Sequence, residues 1–391
     1  MIVRVLVVTE SWKPSTNGVV RSVEQVVTHL VAAGVEVALV APGASREHGS
    51  PGAVDGVARV LSTPSLHVSR LGCSTSVPAA GLRAFVRDLA PDVVHVASPF
   101  LLGAQAVQVA AEEGVPSVAV YQTDVASFAV ANGLAFAERP VWRWIARIHR
   151  RATLNLACTH DALTALAAQG VPRLRRWHRG VDLGLFTPAV RDADVRTALA
   201  GGRDVPVVGY MGRLAPEKEL PLLRVLAGRE DLALALIGDG PSRAELAASL
   251  PGATFTGRLD RDELARAVAS LDVFVHPGRH ETLCQAAMQA MACGVPAVVP
   301  DAGGVAELVD GTSGARFVPG SAASLDDAVA AVLSDRTARG ARAREVSLER
   351  GLAASVAELR GHYEEAVRLA RASRTTTATS STTTTTSREA A

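Results

Sequence analysis

The chain has 391 residues, 48% of them hydrophobic, with 40 basic against 39 acidic side chains and a formal net charge of +1. That length exceeds what one ordinary core fills, so two domains are expected, and so balanced a charge excludes a general electrostatic affinity for nucleic acid. The four cysteines (Cys73, Cys158, Cys284 and Cys293) form no Cys-x-x-Cys pair and share no metal-like spacing with histidine, which excludes a zinc site and a disulfide framework and suits a reducing, cytoplasmic setting.

Residues 3–8 are a strand-length apolar run, too short and too weakly flanked for a signal peptide. They lead to a helix predicted over residues 20–33. Strands are predicted at 35–40, 93–96 and 115–120, and a strand at 154–158 precedes a helix over 161–169. The rhythm starts afresh at 205–210 and continues through 232–237, 253–256, 273–276, 297–299 and 315–318. Short β-branched runs alternating with helical segments predict parallel sheet built from βαβ units, here twice in tandem. The polar stretch over 187–204 is expected to be the junction and a hinge. Helices are expected over 325–333 and 352–371. The division is then an N-terminal domain over 1–188, a C-terminal domain over 189–350, a closing helix over 351–372 and a Thr/Ser tail over 373–391, whose composition predicts disorder. No stretch reaches the length of a membrane span.

In open α/β sheets ligands sit beyond the carboxyl ends of strands, where glycine turns and helix N-termini converge. The first such loop, Pro14-Ser15-Thr16-Asn17-Gly18-Val19, lets backbone N–H groups approach a ligand at Gly18, while Asn17 can cap the next helix or bind that ligand. Of the forty basic residues only Lys13 and Lys218 are lysine. Lys218 closes the segment Gly212-Arg213-Leu214-Ala215-Pro216-Glu217-Lys218, directly after the first strand of the second half. Arg213 can clamp two oxygens of a diphosphate there and Lys218 can add a point charge, although a solvated Glu217-Lys218 pair would use the same residues. Ile237-Gly238-Asp239-Gly240-Pro241 and Phe255-Thr256-Gly257-Arg258 are further strand-then-glycine turns, the second open to a flat nucleobase. In His276-Pro277-Gly278-Arg279-His280-Glu281-Thr282-Leu283-Cys284-Gln285, Glu281 stands just before a helix whose free N–H groups favour anions. It can accept from sugar hydroxyls or simply cap the helix. Asp301-Ala302-Gly303-Gly304-Val305-Ala306-Glu307 repeats the glycine turn.

Six motifs in order, Asn17-Gly18-Val19, His95 with Ser98-Pro99, Tyr121-Gln122-Thr123-Asp124, Arg179-Gly180-Val181-Asp182 with Phe186 and Pro188, Gly212-Arg213 with Glu217-Lys218, and Glu281-Thr282 with Gly294-Val295-Pro296, resemble glycosyltransferase family 4 over almost the whole chain. The actinobacterial GDP-mannose-dependent α-mannosyltransferases are the closest in appearance. The resemblance implies an α/β chain of GT-B architecture, two doubly wound Rossmann-like domains facing across a cleft, with the last helix crossing back. It implies retaining transfer of a hexose, mannose from GDP-mannose above all, from a nucleotide-sugar donor to a glycolipid or glycan hydroxyl. By the same resemblance Arg213 and Lys218 hold the diphosphate and Glu281 contacts the sugar. Gly18, Gly212, Gly257, Thr282, Leu283, Cys284 and Gln289 complete the donor side. Asn17, His95, Gln122, Asp124 and Arg179 lie on the acceptor side, Gln122 and Asp124 close to the reaction. No metal or other cofactor is expected, because Arg213 and Lys218 can neutralise the diphosphate. Two departures stand out: the family's second glutamate is Gln289 here, which predicts weaker donor binding, and Gln122 replaces a histidine common in the family.

Residues 138–152 combine Trp142 and Trp144 with Arg139, Arg143, Arg147, Arg150 and Arg151, and at helical spacing Val141, Trp144, Ile145 and Ile148 form an apolar stripe. Such a helix either docks on an anionic membrane at the inner face of the cell or packs on the sheet with a solvated basic side. A UDP-sugar donor and a catalytically weak nucleotide-sugar binder are the alternative readings. An oxidoreductase is excluded because the first half has no Gly-x-Gly-x-x-Gly turn.

Overall fold

The computed structural model describes residues 2–14, 17–47, 50, 52–68, 73–122, 136 and 138–385. The first half contains β1 (Arg4–Val8), α1 (Gly18–Ala32), β2 (Glu36–Pro42), β3 (Arg59–Thr63), β4 (Ser65–Val68), β5 (Cys73–Ser76), α2 (Leu82–Leu89), β6 (Val93–Val96), α3 (Leu102–Glu112), β7 (Ser117–Tyr121), α4 (Glu138–Arg151), β8 (Leu154–Ala157), α5 (His160–Ala168) and β9 (Leu174–Arg176). Seven of its strands form one parallel sheet in the order β3-β2-β1-β6-β7-β8-β9, while β4 and β5 pair as an antiparallel ribbon. Helices cover both faces, so strands such as Val5 to Val8 are buried on both sides and read as continuous apolar runs rather than alternating ones.

The second half contains α6 (Ala193–Leu199), β10 (Val207–Met211), β11 (Ala233–Ile237), α7 (Arg243–Ser249), β12 (Thr254–Gly257), α8 (Arg261–Ala269), β13 (Val273–Val275), α9 (Gln285–Ala292), β14 (Ala297–Pro300), β15 (Gly314–Phe317), α10 (Ala322–Ser334) and α11 (Arg336–Leu348). Its six strands are parallel in the order β12-β11-β10-β13-β14-β15. Each sheet therefore reverses its strand order once, between β1 and β6 and between β10 and β13, and leaves a crevice at that switch point.

The chain crosses between halves twice, and the two crossings are bonded to one another. Val181 N donates to Arg350 O at 2.9 Å and Leu352 N to Val181 O at 3.2 Å. Gly180 permits the approach, since a Cβ there would lie 2.7 Å from Leu352 Cα. After the second crossing α12 (Leu352–Thr385) returns to the first half, burying Val356, Leu359, Tyr363 and Ala366 in the core that holds β1 and α1. Each fully buried aliphatic side chain of this kind contributes about 1.5–3 kcal/mol.

Two expectations need correction. The stretch over 187–204 is not a loose junction: Asp192 caps α6, Leu199 and Ala200 are buried, and Arg191 and Arg196 both pair with the buried Asp272, which ties the stretch to the second core. The break expected at Ser373 is absent, because α12 runs on to Thr385, with Ser373 and Thr375 hydroxyls donating to the carbonyls of Leu369 and Arg371 one turn back. Four strands of the first half, β3, β4, β5 and β9, were not predicted; β9, Leu174-Arg175-Arg176, is an arginine-rich edge strand without an apolar run.

Candidate active site

The crevice of the second sheet is built by glycines in contact. A Cβ on Gly212, at φ +153°, would lie 2.6 Å from the Tyr210 phenol oxygen, and one on Gly238, at φ +135°, would lie 2.1 Å from Gly212 O. The turns after β10 and β11 can therefore touch backbone to backbone only without side chains. Tyr210 Oη donates to Arg213 O at 3.0 Å and fixes the start of the loop. A 3₁₀ turn, Pro216–Lys218, then brings the Lys218 ammonium to Glu281 Oε1 at 2.5 Å.

Glu281 and its neighbours form a charged cluster under that loop. His276, at the end of β13, is buried, lies with Nε2 3.3 Å from Glu281 Oε1, and stacks on Tyr210 with ring centroids 5.9 Å apart. Burial works against the Glu281 carboxylate, yet Lys218 and His276 hold it down to about 2. Burial likewise opposes the His276 imidazolium, but Cys284 and Glu281 outweigh it and raise the group to about 9. Lys218 is raised too, burial being overcome by Glu281. Lys218 and His276 thus face the Glu281 carboxylate from two sides, with Cys284 beside His276. Arg213, with its side chain 40% exposed, pairs with Glu217 at 2.5 Å and lies at the rim. Arg279 is held by Glu219 through Nε and Nη2 at 2.8 and 2.9 Å.

The same loop meets the first half. Thr282 Oγ1 donates to Gln122 O at 2.9 Å, and Thr159 Oγ1 donates to Thr282 O at 3.1 Å. Between the halves lies a cavity of about 260 Å³, lined by Tyr121, Asp161 and Ala165 on one side and by Arg279, Glu281 and Gly303 on the other.

The predicted donor residues Gly212, Lys218, Glu281, Thr282 and Cys284 come together here, with Arg213 at the rim. Leu283 packs against the core of the second half, and Gln289 is buried on α9. Gly257, at φ +72°, ends β12 with Arg243 Nη1 3.3 Å from where its Cβ would be. The predicted acceptor residues fare differently. His95 is corrected: it is buried on β6, its Nδ1 is 2.9 Å from Tyr363 Oη, and burial lowers it to about 4, so it joins the first sheet to α12 instead of facing a ligand. Asn17 spends its side-chain oxygen on capping α1 through Val19 N and Val20 N, both at 3.0 Å, while Gly18 faces open space. Arg179 is buried, donates to Gly18 O at 3.2 Å, and burial lowers its pKa. Gln122 Nε2 donates to Ala97 O at 2.8 Å, which fixes the amide's orientation and leaves Oε1 buried without a partner among the described residues. Asp124 lies outside the described residues. Lys13, the other lysine, is structural, pairing with Glu24 at 2.7 Å.

Sequence reasoning passed over Tyr210, His276 and Thr159 as functional supports. The only signal for His276 was a polar residue closing an apolar strand. On α4, Ile145 and Ile148 are buried and Trp142 stacks on Tyr121, so most of the apolar stripe packs on the sheet. Trp144 stays 38% exposed with its indole N–H donated to Phe100 O, and Phe136, before the start of α4, is 81% exposed. Among the described residues no group of three His, Cys, Asp or Glu side chains is placed to hold a metal ion, and no helix is long and apolar enough to cross a membrane.

Residues 16–185 match the profile described as Glycosyltransferase Family 4, and residues 205–335 the one described as Glycosyl transferases group 1. A GDP-mannose-dependent alpha-mannosyltransferase of Mycolicibacterium smegmatis is 45% identical over 368 residues, covering 92% of this chain and 97% of the relative. The protein of that description from Mycobacterium tuberculosis is 41% identical over 372 residues, covering 93% and 96%. Among solved structures, sucrose-phosphate synthase of Thermosynechococcus elongatus superposes with a TM-score of 0.76 at 20% identity, over 93% of this chain and 98% of that one. Anabaena HepE in complex with UDP gives 0.74 at 17% identity, over 93% and 100%. These two likenesses concern the fold, which is the GT-B architecture of two facing parallel-sheet domains.

Proposed function

We propose the function from one premise: the chain belongs to glycosyltransferase family 4. It is an α-mannosyltransferase that takes mannose from GDP-mannose and passes it, with retention, to a hydroxyl of a glycolipid or glycan acceptor at the cytoplasmic side of the cell. The observation that carries this reading is the Lys218, Glu281 and His276 cluster at the switch point of the second sheet, which sets an ammonium and an imidazole against a partly buried carboxylate. A nucleotide sugar presents the complementary pair, a diphosphate next to hydroxyls.

In the reaction the bond from the sugar's anomeric carbon to the diphosphate oxygen breaks, and the acceptor oxygen bonds to that carbon on the same face. The acceptor's proton passes to the departing phosphate oxygen, and GDP leaves. Negative charge grows on the diphosphate as the bond breaks. Lys218 is already in place to meet it, and Arg213 reaches it by exchanging Glu217 for phosphate; preorganised donors of this kind are each worth about 3–4 kcal/mol. Glu281, ionised at any physiological pH, accepts from the sugar's hydroxyls. The unpaired Gln122 Oε1 is the acceptor-side group best suited to receive a hydroxyl hydrogen bond. No metal is assigned a role, since the cationic side chains supply the charge. On the outer surface Phe136, Trp144 and the exposed arginines of α4 form an aromatic and basic patch suited to anionic headgroups, which would bring the enzyme to a lipid acceptor.

The test is GDP release from GDP-mannose by the purified chain, with and without a membrane glycolipid extract, alongside UDP-glucose and UDP-N-acetylglucosamine. The expected result is acceptor-dependent release with GDP-mannose and an α-linked product by NMR. Faster release from a UDP-sugar would overturn the donor assignment, and tight binding without transfer would leave a nucleotide-sugar binder. Flotation with anionic vesicles at low salt tests the patch, which fails if wild type and a Phe136→Ser/Trp144→Ser variant stay unbound alike.

A further inference from the structure

We propose that Glu307 is a positioning residue, which sets the register of the two halves in the closed enzyme by capping a helix of the opposite half. It lies on the 3₁₀ turn Gly304–Leu308 after β14, in the second half. Its Oε1 accepts from Asp161 N at 2.9 Å, and its Oε2 accepts from His160 N at 3.0 Å and from Arg176 Nη2 at 3.1 Å, all three donors in the first half. The first N–H groups of a helix have no partner within it, and the helix dipole favours a carboxylate there. Helix α5 satisfies one of them itself, through Thr159 Oγ1 and Ala162 N at 3.3 Å. The other half of the molecule satisfies two more.

The turn that carries Glu307 also supports the donor loop. Gly304 N donates to Glu281 O at 2.8 Å. A Cβ on Gly304 would lie 2.2 Å from Thr282 O and 2.7 Å from Thr159 Cγ2, and one on Gly303 would lie 2.7 Å from Arg279 O. Three segments are therefore in van der Waals contact, the Glu281 loop, the glycine turn and the start of α5. Moving α5 relative to Glu307 moves the first half relative to Glu281. The arrangement has the geometry of a latch, since opening the cleft separates Glu307 from α5 and Arg176 at once, and re-forming three bonds fixes one closed register. Glu307 faces α5 and β9 rather than the charged crevice, so it acts on the reaction through Glu281 and Thr282 and not by touching substrate.

The inference rests on the proposed donor site and is tested on the full chain with Glu307→Ala, Glu307→Gln and Arg176→Ala. GDP affinity by calorimetry is expected to stay within about threefold of wild type in all three, because the nucleotide contacts belong to the second half. Turnover is expected to fall roughly ten- to a hundredfold in Glu307→Ala, as misplacement by an ångström or so costs. Glu307→Gln, which keeps one accepting oxygen, should recover part of the loss, and Arg176→Ala should lose the least. Hydrogen exchange at the amides of His160 and Asp161 should quicken in Glu307→Ala, and small-angle scattering with GDP should show a larger radius than wild type. These two readouts need no turnover, so they still decide the matter if the wild type fails to transfer mannose. Unchanged exchange and radius, or wild-type turnover in folded Glu307→Ala, would overturn the proposal, as would a loss of GDP affinity equal to the loss of turnover.

Discussion

The two sheets of this protein have the same parallel, doubly wound design and reverse their strand order at comparable places, yet they use polar residues at their crevices in opposite ways. In the second half, the partly buried Lys218 and Glu281 and the buried His276 are packed against one another as a charged cluster. In the first half, the polar residues that mark the motifs are spent on structure: Asn17 on the cap of α1, His95 on Tyr363, Arg179 on the carbonyl of Gly18. Among the described residues of those motifs, Gln122 Oε1 is left without a partner. The second half gathers charged side chains at its crevice, whereas the described part of the first half ties its polar residues into a firm wall. A diphosphate carries charge that demands fixed partners, whereas acceptor hydroxyls can be met by a few leftover polar atoms and by backbone.

The harshest way to break this contrast is Lys218→Ala, which removes a cation and leaves the Glu281 carboxylate to His276 alone. Turnover from GDP-mannose in a purified assay should fall a hundredfold or more, about 3–4 kcal/mol, with Arg213→Ala in the same range. Near-normal turnover in both would move the donor elsewhere. Glu281→Gln keeps shape but removes the charge-assisted acceptor, and a loss of roughly ten- to a hundredfold in kcat/KM is expected.

His276 sharpens the contrast through pH. Its value of about 9 in the folded protein stands above the ordinary 6.5, so the imidazolium's contribution to stability and to the site is complete below about 6.5 and disappears as pH rises through about 9. Turnover should decline along an alkaline limb near that value, and His276→Asn should flatten the limb. An unchanged limb in that variant would assign it to another group. Gln289→Glu restores a charged acceptor on α9, and the donor KM is expected to drop by roughly five- to tenfold, about 1 kcal/mol. An unchanged or higher KM would show that Gln289 does not meet the nucleotide.

The smallest effect on chemistry is expected in the wall. Tyr363→Phe leaves buried His95 without its partner and should cost about 1–3 kcal/mol in urea unfolding while turnover per folded molecule stays the same. A fall in turnover larger than the loss of folded protein would mean that α12 takes part in closure.

How much could be read beforehand differs between the regions. The central strands were legible because double burial forces continuous β-branched runs such as Val5-Leu6-Val7-Val8 and Val207-Val208. The placement of Lys218 and Glu281 at the crevice, with Arg213 at its rim, was legible because glycine turns after such strands announce a crevice. His276 was not, since nothing local separates a buried imidazolium beneath a carboxylate from a histidine at a strand end. The helix α6 and its anchoring by Arg191 and Arg196 were missed because the partner, Asp272, lies some eighty residues away, and a polar stretch looks like a linker until its long-range partner is known.

By itself the sequence determined the period of its strands, the places where glycine must stand and the motif order that identifies the family, because these depend on neighbours within a turn or a strand. Only the tertiary structure decided which polar side chains are left free after the fold has used the rest. That depends on contacts between remote segments, as between Glu307 and the start of α5 or His95 and Tyr363, and no local pattern encodes the distance between them.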